Sequence, residues 1–160
     1  MPEELAKVAI RQVVKALDRL HSLDIVHRDL KLENVLVNRE VKAKLIDFGF
    51  SRQLSRENEV LSDFCGTPHY MAPEVIQREG YYGKPADIWS LGVIIYRITV
   101  GCFPFKGINE KTIFSKVMKG ELTLPAHLSG PLTDLLTRML TLDYRRRPSI
   151  YEVLTHYWLE

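Results

Sequence analysis

Between residues 2 and 22 the apolar side chains Leu5, Val8, Ala9, Val13, Ala16, Leu17 and Leu20 recur at spacings of three and four, which predicts one face of an amphipathic helix. Pro2, Glu3 and Glu4 suit its first turn, where backbone N–H groups are unpaired and negative charge meets the positive end of the helix dipole. Two short β-branched runs follow, residues 35–37 and 45–46, with Asn38-Arg39-Glu40 between them, and predict a small hairpin. Nearly every position from 87 to 100 is apolar, with Pro85 just before and Gly101 just after, so a helix buried on all sides is expected there. Three surface helices complete the pattern. Ile113, Phe114, Val117 and Met118 mark the first, and Leu132, Leu135, Leu136, Met139 and Leu140 the second. The third opens with Ser149-Ile150-Tyr151-Glu152, a capping box. Residues 51–67 are polar enough to read as one long loop, and a loop of that length inside a compact domain is usually functional or mobile. The predicted class is mainly α with a small β-hairpin.

Composition narrows the function classes. A chain of 160 residues with 46% hydrophobic content supports one domain with a sizeable core. Lys and Arg number 22 against 20 Asp and Glu, a net charge of +2, so there is no polybasic arm and nucleic acid is not an expected partner. Cys65 and Cys102 are too few for a disulfide framework and lack CxxC spacing, which favours a reducing compartment. The apolar run from 88 to 100 is too short for a bilayer and holds Arg97, and the first residues do not read as a signal peptide. No membrane association is expected. The location expected is cytoplasmic, with the nucleus left open.

The chemistry is concentrated in three motifs. His27-Arg28-Asp29-Leu30-Lys31-Leu32-Glu33-Asn34 fits HRDLxxxN, Asp47-Phe48-Gly49 is DFG, and Ala72-Pro73-Glu74 is APE, in that order. Asp29 can take a proton from a hydroxyl, and Asn34 and Asp47 offer the hard oxygen donors that suit Mg²⁺. On these residues the chain resembles the C-terminal lobe of a eukaryotic Ser/Thr protein kinase, most like the calcium/calmodulin-dependent and AMP-activated groups, and the resemblance covers essentially all 160 residues.

The resemblance implies a protein-kinase-like fold, the helical lobe of a partial kinase domain spanning residues 1–160. It implies ATP and Mg²⁺ as cofactors and a protein carrying a Ser or Thr acceptor as substrate. Asp29, Lys31 and Thr67 would be the catalytic set, and Lys31, Glu33, Asn34, Leu36 and Asp47 would line the nucleotide side. Asn34 and Asp47 would bind the metal. Glu33 also matches a position that meets basic substrate residues in some relatives, and Arg97 argues against that use here. Leu36, Ile94 and Ile98 match apolar residues beneath the adenine. His27, Phe48, Glu74, Asp87 and Arg147 match structural positions, with Glu74 expected to pair with Arg147 and Asp87 to hold the catalytic-loop backbone. Asp63 stands where many relatives carry a phosphorylated threonine, and Arg28 and Arg52 match its basic partners. A regulatory segment ordered without phosphorylation is the implied consequence.

The same family needs a glycine-rich loop, a strand lysine and a helix glutamate in an N-terminal lobe, and no GxGxxG occurs in this sequence. Val8-Ala9-Ile10-Arg11 resembles the strand motif but carries helical spacing. The expectation is therefore that the N-terminal lobe is absent from the 160 residues and that they do not catalyse alone. The face around Leu36, Asp47 and Phe48 would then be exposed, and a missing lobe or partner protein would cover it. A noncatalytic binding module or pseudokinase-like regulator is the alternative.

Overall fold

The first helix, α1 (Glu3–Ser22), carries its acidic pair at the N-terminus and Arg19 and His21 in its last turn, both matched to the helix dipole. The computed structural model describes residues 1–160. The inward face of α1 is Ala6, Ile10, Val13, Val14, Leu17 and His21. The expected face is thus corrected by part of a turn: Leu5 and Val8 are 47% and 51% exposed. Apolar residues occupy more than half of the circumference of this helix, so periodicity fixes that it is amphipathic but not which edge of the stripe meets the core.

After α1 the chain makes β1 (Ile25–Val26), a helical turn at Leu32–Asn34, β2 (Val35–Val37) and β3 (Ala43–Leu45). The strands β2 and β3 are antiparallel, with Val35 opposite Leu45 and Val37 opposite Ala43. The second strand of the hairpin therefore starts earlier than expected, because Asn38 Oδ1 accepts from the N–H groups of Glu40 and Lys42 and closes the turn there. Gln12 of α1 clamps this turn, donating to the Val41 carbonyl at 2.8 Å and accepting from the Ala43 N–H at 3.1 Å.

The segment 51–67 is not one uninterrupted loop. It contains β4 (Arg52–Gln53), paired antiparallel with β1, and β5 (Val60–Leu61), paired antiparallel with β6 (Tyr81–Tyr82). Two-residue pairings leave no period-two signal in a sequence. Between them lies a short helix, α2 (Pro73–Gln77), with proline at its first position.

The central helix α3 (Gly83–Val100) begins four residues before Asp87, since Pro85 falls in the first turn, where its missing N–H is no loss. Gly83 is required there: a Cβ would come within 2.8 Å of the Val26 side chain. At the other end Gly101 takes φ 87° and closes the helix by donating to the Arg97 carbonyl at 2.9 Å. Ile88, Trp89, Leu91, Val93, Ile94 and Ile95 are buried in one continuous core, as a helix apolar on all sides requires. No helix is long and apolar enough to cross a membrane.

Around α3 pack α4 (Glu110–Lys119), α5 (Gly130–Met139) and α6 (Ile150–Leu154). Both halves of the Ser149–Glu152 capping box form: Ser149 Oγ accepts from the Glu152 N–H, and Glu152 accepts from the Ser149 N–H at 2.7 Å. Chain ends meet at Glu3, whose carboxylate accepts from the Ser129 hydroxyl and from the buried Trp158 indole N–H at 2.8 Å. Burial works to raise the Glu3 carboxyl, but the hydrogen bonds from Ser129 and Trp158 hold it below its ordinary value. Its contribution to stability is therefore present at neutral pH and fades as the pH falls through that lowered value. Glu3→Ala orphans the indole N–H and is expected to cost about 1–3 kcal/mol in urea unfolding, a difference that shrinks in acid.

Candidate active site

The catalytic loop is held from beneath by Asp87. One carboxylate oxygen accepts from the Arg28 N–H at 2.9 Å, and the other accepts from the His27 N–H at 2.9 Å and meets His21 Nε2 at 3.0 Å. Asp87 is almost fully buried, so these partners replace the water it has lost. The grip lets Arg28 adopt φ 65°, a left-handed conformation that a non-glycine residue keeps only when its surroundings enforce it.

This bend presents a compact polar cluster. Asp29, 5% exposed, accepts from the Thr67 hydroxyl at 2.9 Å through Oδ1 and from Lys31 Nζ at 2.8 Å through Oδ2. Lys31 also donates to Thr67 at 3.2 Å. Three residues separated by up to 38 positions in sequence thus share one site. The hydrogen bond to Asp29 is the main cause that raises the Lys31 ammonium above its ordinary value, so it stays charged throughout the neutral range.

Asn34 and Asp47 come together through the hairpin, where the Ile46 N–H donates to the Asn34 carbonyl at 3.0 Å. Asn34 is buried, and its amide nitrogen donates to the Asp29 carbonyl at 3.0 Å, which leaves the amide oxygen free to accept. Asp47, at φ 62°, uses one oxygen on the Gly49 N–H at 3.1 Å and keeps the other free. No group of three or more His, Cys, Asp or Glu side chains is arranged to hold a metal ion by itself. Two free hard oxygens fit a divalent ion that completes its shell with phosphate and water.

Leu36 and Phe48 flank this pair and are 53% and 49% exposed, and Val37 and Phe50 extend the apolar face. Phe48 rests on His27, ring centres 5.2 Å apart. Ile94 and Ile98 are buried in the core. Glu33, expected on the nucleotide side, has both carboxylate oxygens engaged elsewhere, by Arg97 at 2.7 Å and by the Tyr70 hydroxyl at 3.2 Å. The side chain thus turns toward α3, where Arg97 and Tyr70 meet it.

Asp63 lies between two arginines, accepting from Arg28 at 2.7 Å and Arg52 at 3.3 Å. The Arg28 hydrogen bond and charge hold its carboxyl below the usual range. Arg52 is shared with Glu59 at 2.6 Å, and Glu59 also accepts from the Ser55 N–H. Two carboxylates therefore balance two guanidinium groups here. Glu59 and Tyr70 are site residues that the sequence motifs do not mark. A carboxylate four residues after Ser55 was the available signal for the first, and Tyr70 carries none beyond its place before the APE motif.

Glu74 and Arg147 form a buried bidentate pair at 2.6 and 2.8 Å. It ties α2, and with it the end of the 51–72 segment, to the chain before α6.

The chain matches the family model described as protein kinase domain over residues 1–159. It is 42% identical over 148 residues to the protein kinase domain-containing protein ppk9 of Schizosaccharomyces pombe, covering 92% of this chain and 28% of that protein. Protein kinase kin1 of the same yeast is 38% identical over 159 residues, covering 99% of this chain and 18% of kin1. The protein named "Probable serine/threonine-protein kinase MARK-A" of Dictyostelium discoideum is likewise 38% identical over 159 residues, 99% of this chain and 15% of the relative. This chain spans less than a third of the length of each relative.

Proposed function

This chain belongs to the protein kinase family, and from that premise we propose that it is the catalytic-loop and substrate-side lobe of a Ser/Thr kinase of the calcium/calmodulin-dependent or AMP-activated type. The observation that carries the reading is the mutual hydrogen bonding of Asp29, Lys31 and Thr67. Thr67 and Lys31 fix the Asp29 carboxylate so that it accepts the proton of an incoming Ser or Thr hydroxyl. When bound, Mg-ATP supplies the phosphoryl group and neutralises its charge. Asn34 and Asp47 would hold the metal, and Lys31 would balance charge on the transferred group. These 160 residues contain no glycine loop of the GxGxxG type that completes a nucleotide cradle, and the exposed apolar face at Leu36 and Phe48 is where such a part would sit.

The test is Mg-ATP-dependent phosphate transfer by the full-length protein to a peptide pool containing Ser, Thr and Tyr. Transfer to Ser and Thr only is expected. A folded protein that transfers nothing sinks the catalytic reading and favours a noncatalytic module that uses the exposed Leu36 and Phe48 face.

In this reading Asp63 does the work that a phosphate does elsewhere, with one charge against nearly two. Asp63→Ala removes the carboxylate that Arg28 and Arg52 share, leaving Arg28 on the Phe50 carbonyl and Arg52 on Glu59, and amide exchange over residues 59–66 is expected to quicken roughly two- to fivefold. Unchanged exchange rules out the carboxylate as the anchor of this segment.

A further inference from the structure

The end of α1, the segment 54–58, the start of α3 and the turn leading into α6 enclose an open cavity of about 730 Å³. None of its lining residues belongs to the Asp29 cluster or to the Asn34 and Asp47 pair. Its base is apolar, since Leu54, Ile88 and Ile150 line it and all three are buried. Tyr82 and Tyr144 stand together in the lining, with ring centres 5.4 Å apart.

The charges of the lining are unevenly engaged. Each of its three cations is already held by an acid of the chain: Lys84 by Asp24 at 2.7 Å, Arg145 by Asp143 at 2.9 Å and Arg147 by Glu74 at 2.6 Å. Its three acids are freer. Glu152 accepts from the Ser149 N–H at 2.7 Å through Oε2 and keeps Oε1 open, and that N–H holds its carboxyl below the ordinary value. Asp18 and Glu57 have neither an ion pair nor a side-chain hydrogen bond within the chain. His21, 5% exposed, meets Asp87 through Nε2 at 3.0 Å, which leaves Nδ1 without a partner in the chain. Surplus negative charge beside aromatic rings and an apolar base is complementary to a cation carried on an apolar stem.

We propose that this cavity docks a partner protein through an arginine of an extended segment. Arginine suits it better than lysine, because a guanidinium offers a flat face to the tyrosine rings and a fork of donors to the Asp18 and Glu57 carboxylates. The volume lies within the roughly 300–1,000 Å³ of sites that enclose drug-sized ligands, so residues flanking the arginine fit as well. Asp18 and Glu57 both meet solvent, and each therefore contributes modestly. The assignment goes beyond the kinase reading and does not depend on it.

The experiment is a calorimetric titration of the full-length protein with a short alanine-based peptide carrying one arginine, and with copies in which citrulline or glutamate replaces it. These peptides hold no Ser, Thr or Tyr, so they offer no hydroxyl to Asp29. The arginine peptide is expected to bind about tenfold tighter than the citrulline peptide, which keeps the shape and lacks the charge. It should also slow amide exchange over residues 15–24 and 144–152. Asp18→Asn combined with Glu57→Gln keeps side-chain volume at solvent-facing positions, and with circular dichroism unchanged it should weaken the arginine peptide about three- to fivefold. Equal binding of the arginine and citrulline peptides, tighter binding of the glutamate peptide, or an affinity that the double variant leaves unchanged overturns the cationic occupant. Protection confined to residues outside the cavity, or no binding of any peptide, overturns the site. Free arginine that binds as tightly as the peptide overturns a protein segment as its source.

Discussion

Arg147→Ala is expected to lower the stability of the chain by about 3–5 kcal/mol, the range found when one partner of a buried ion pair is removed. All five guanidinium N–H donors are used in the structure. Nη1 serves Glu74 and the Pro85 carbonyl, Nη2 serves Glu74 and the Leu142 carbonyl, and Nε serves the Thr141 carbonyl. The group also lies over the Trp89 ring at 4.9 Å. Alanine would leave the Glu74 carboxylate buried and uncompensated, three carbonyls without their donors, and a void against Trp89. At about 2–4 °C per kcal/mol for a chain of this size, the melting temperature should fall by roughly 6–20 °C, readable by calorimetry. Lysine should rescue little, since three donors on one nitrogen cannot reach five acceptors spread around a plane. Replacing both partners with apolar residues, Glu74→Leu with Arg147→Met, should recover part of the loss because no charge is left buried. A single Arg147→Ala cost below about 1 kcal/mol would contradict the burial account.

On the proposed kinase reading, Asp29→Asn should leave the fold intact and remove about two to four orders of magnitude from phosphate transfer by the full-length protein, the usual worth of a positioned general base. Asparagine keeps the volume and one acceptor oxygen, so Thr67 can still donate to it. What is lost is the negative charge that Lys31 meets at 2.8 Å and the capacity to take a proton. Circular dichroism of the variant should match the parent, and turnover should fall with little change in the Michaelis constant for peptide. An equal loss with Asp87→Asn and full activity with Asp29→Asn would move the chemistry away from Asp29.

Both predictions rest on pairings of different legibility. The HRD, DFG and APE motifs marked Asp29, Asn34, Asp47 and Glu74 because their residue types and spacings are tied to one chemistry. The capping box at Ser149 and Glu152 and the apolar run of α3 were equally plain, since each is written in adjacent positions. The exposed edge of α1, the early start of α3 at Gly83 and the strands at 52–53 and 60–61 were not. They depend on which of two near-equivalent faces packs, on a proline tolerated within a first turn, and on pairings too short to show alternation.

Local order in the sequence thus determined α1, α3, α4, α5 and α6, the hairpin and the chemical inventory, because those follow from spacing along one segment, whereas the five-residue α2 is too short to show a period. Only the tertiary structure decided that Thr67 meets Asp29 across 38 positions, that Glu59 shares Arg52, and that Arg97 closes on Glu33 across 64. Such contacts are set by how α3, the catalytic loop and the segment before α2 stack. A polar side chain carries no periodicity that names its partner, and only packing brings the two within reach.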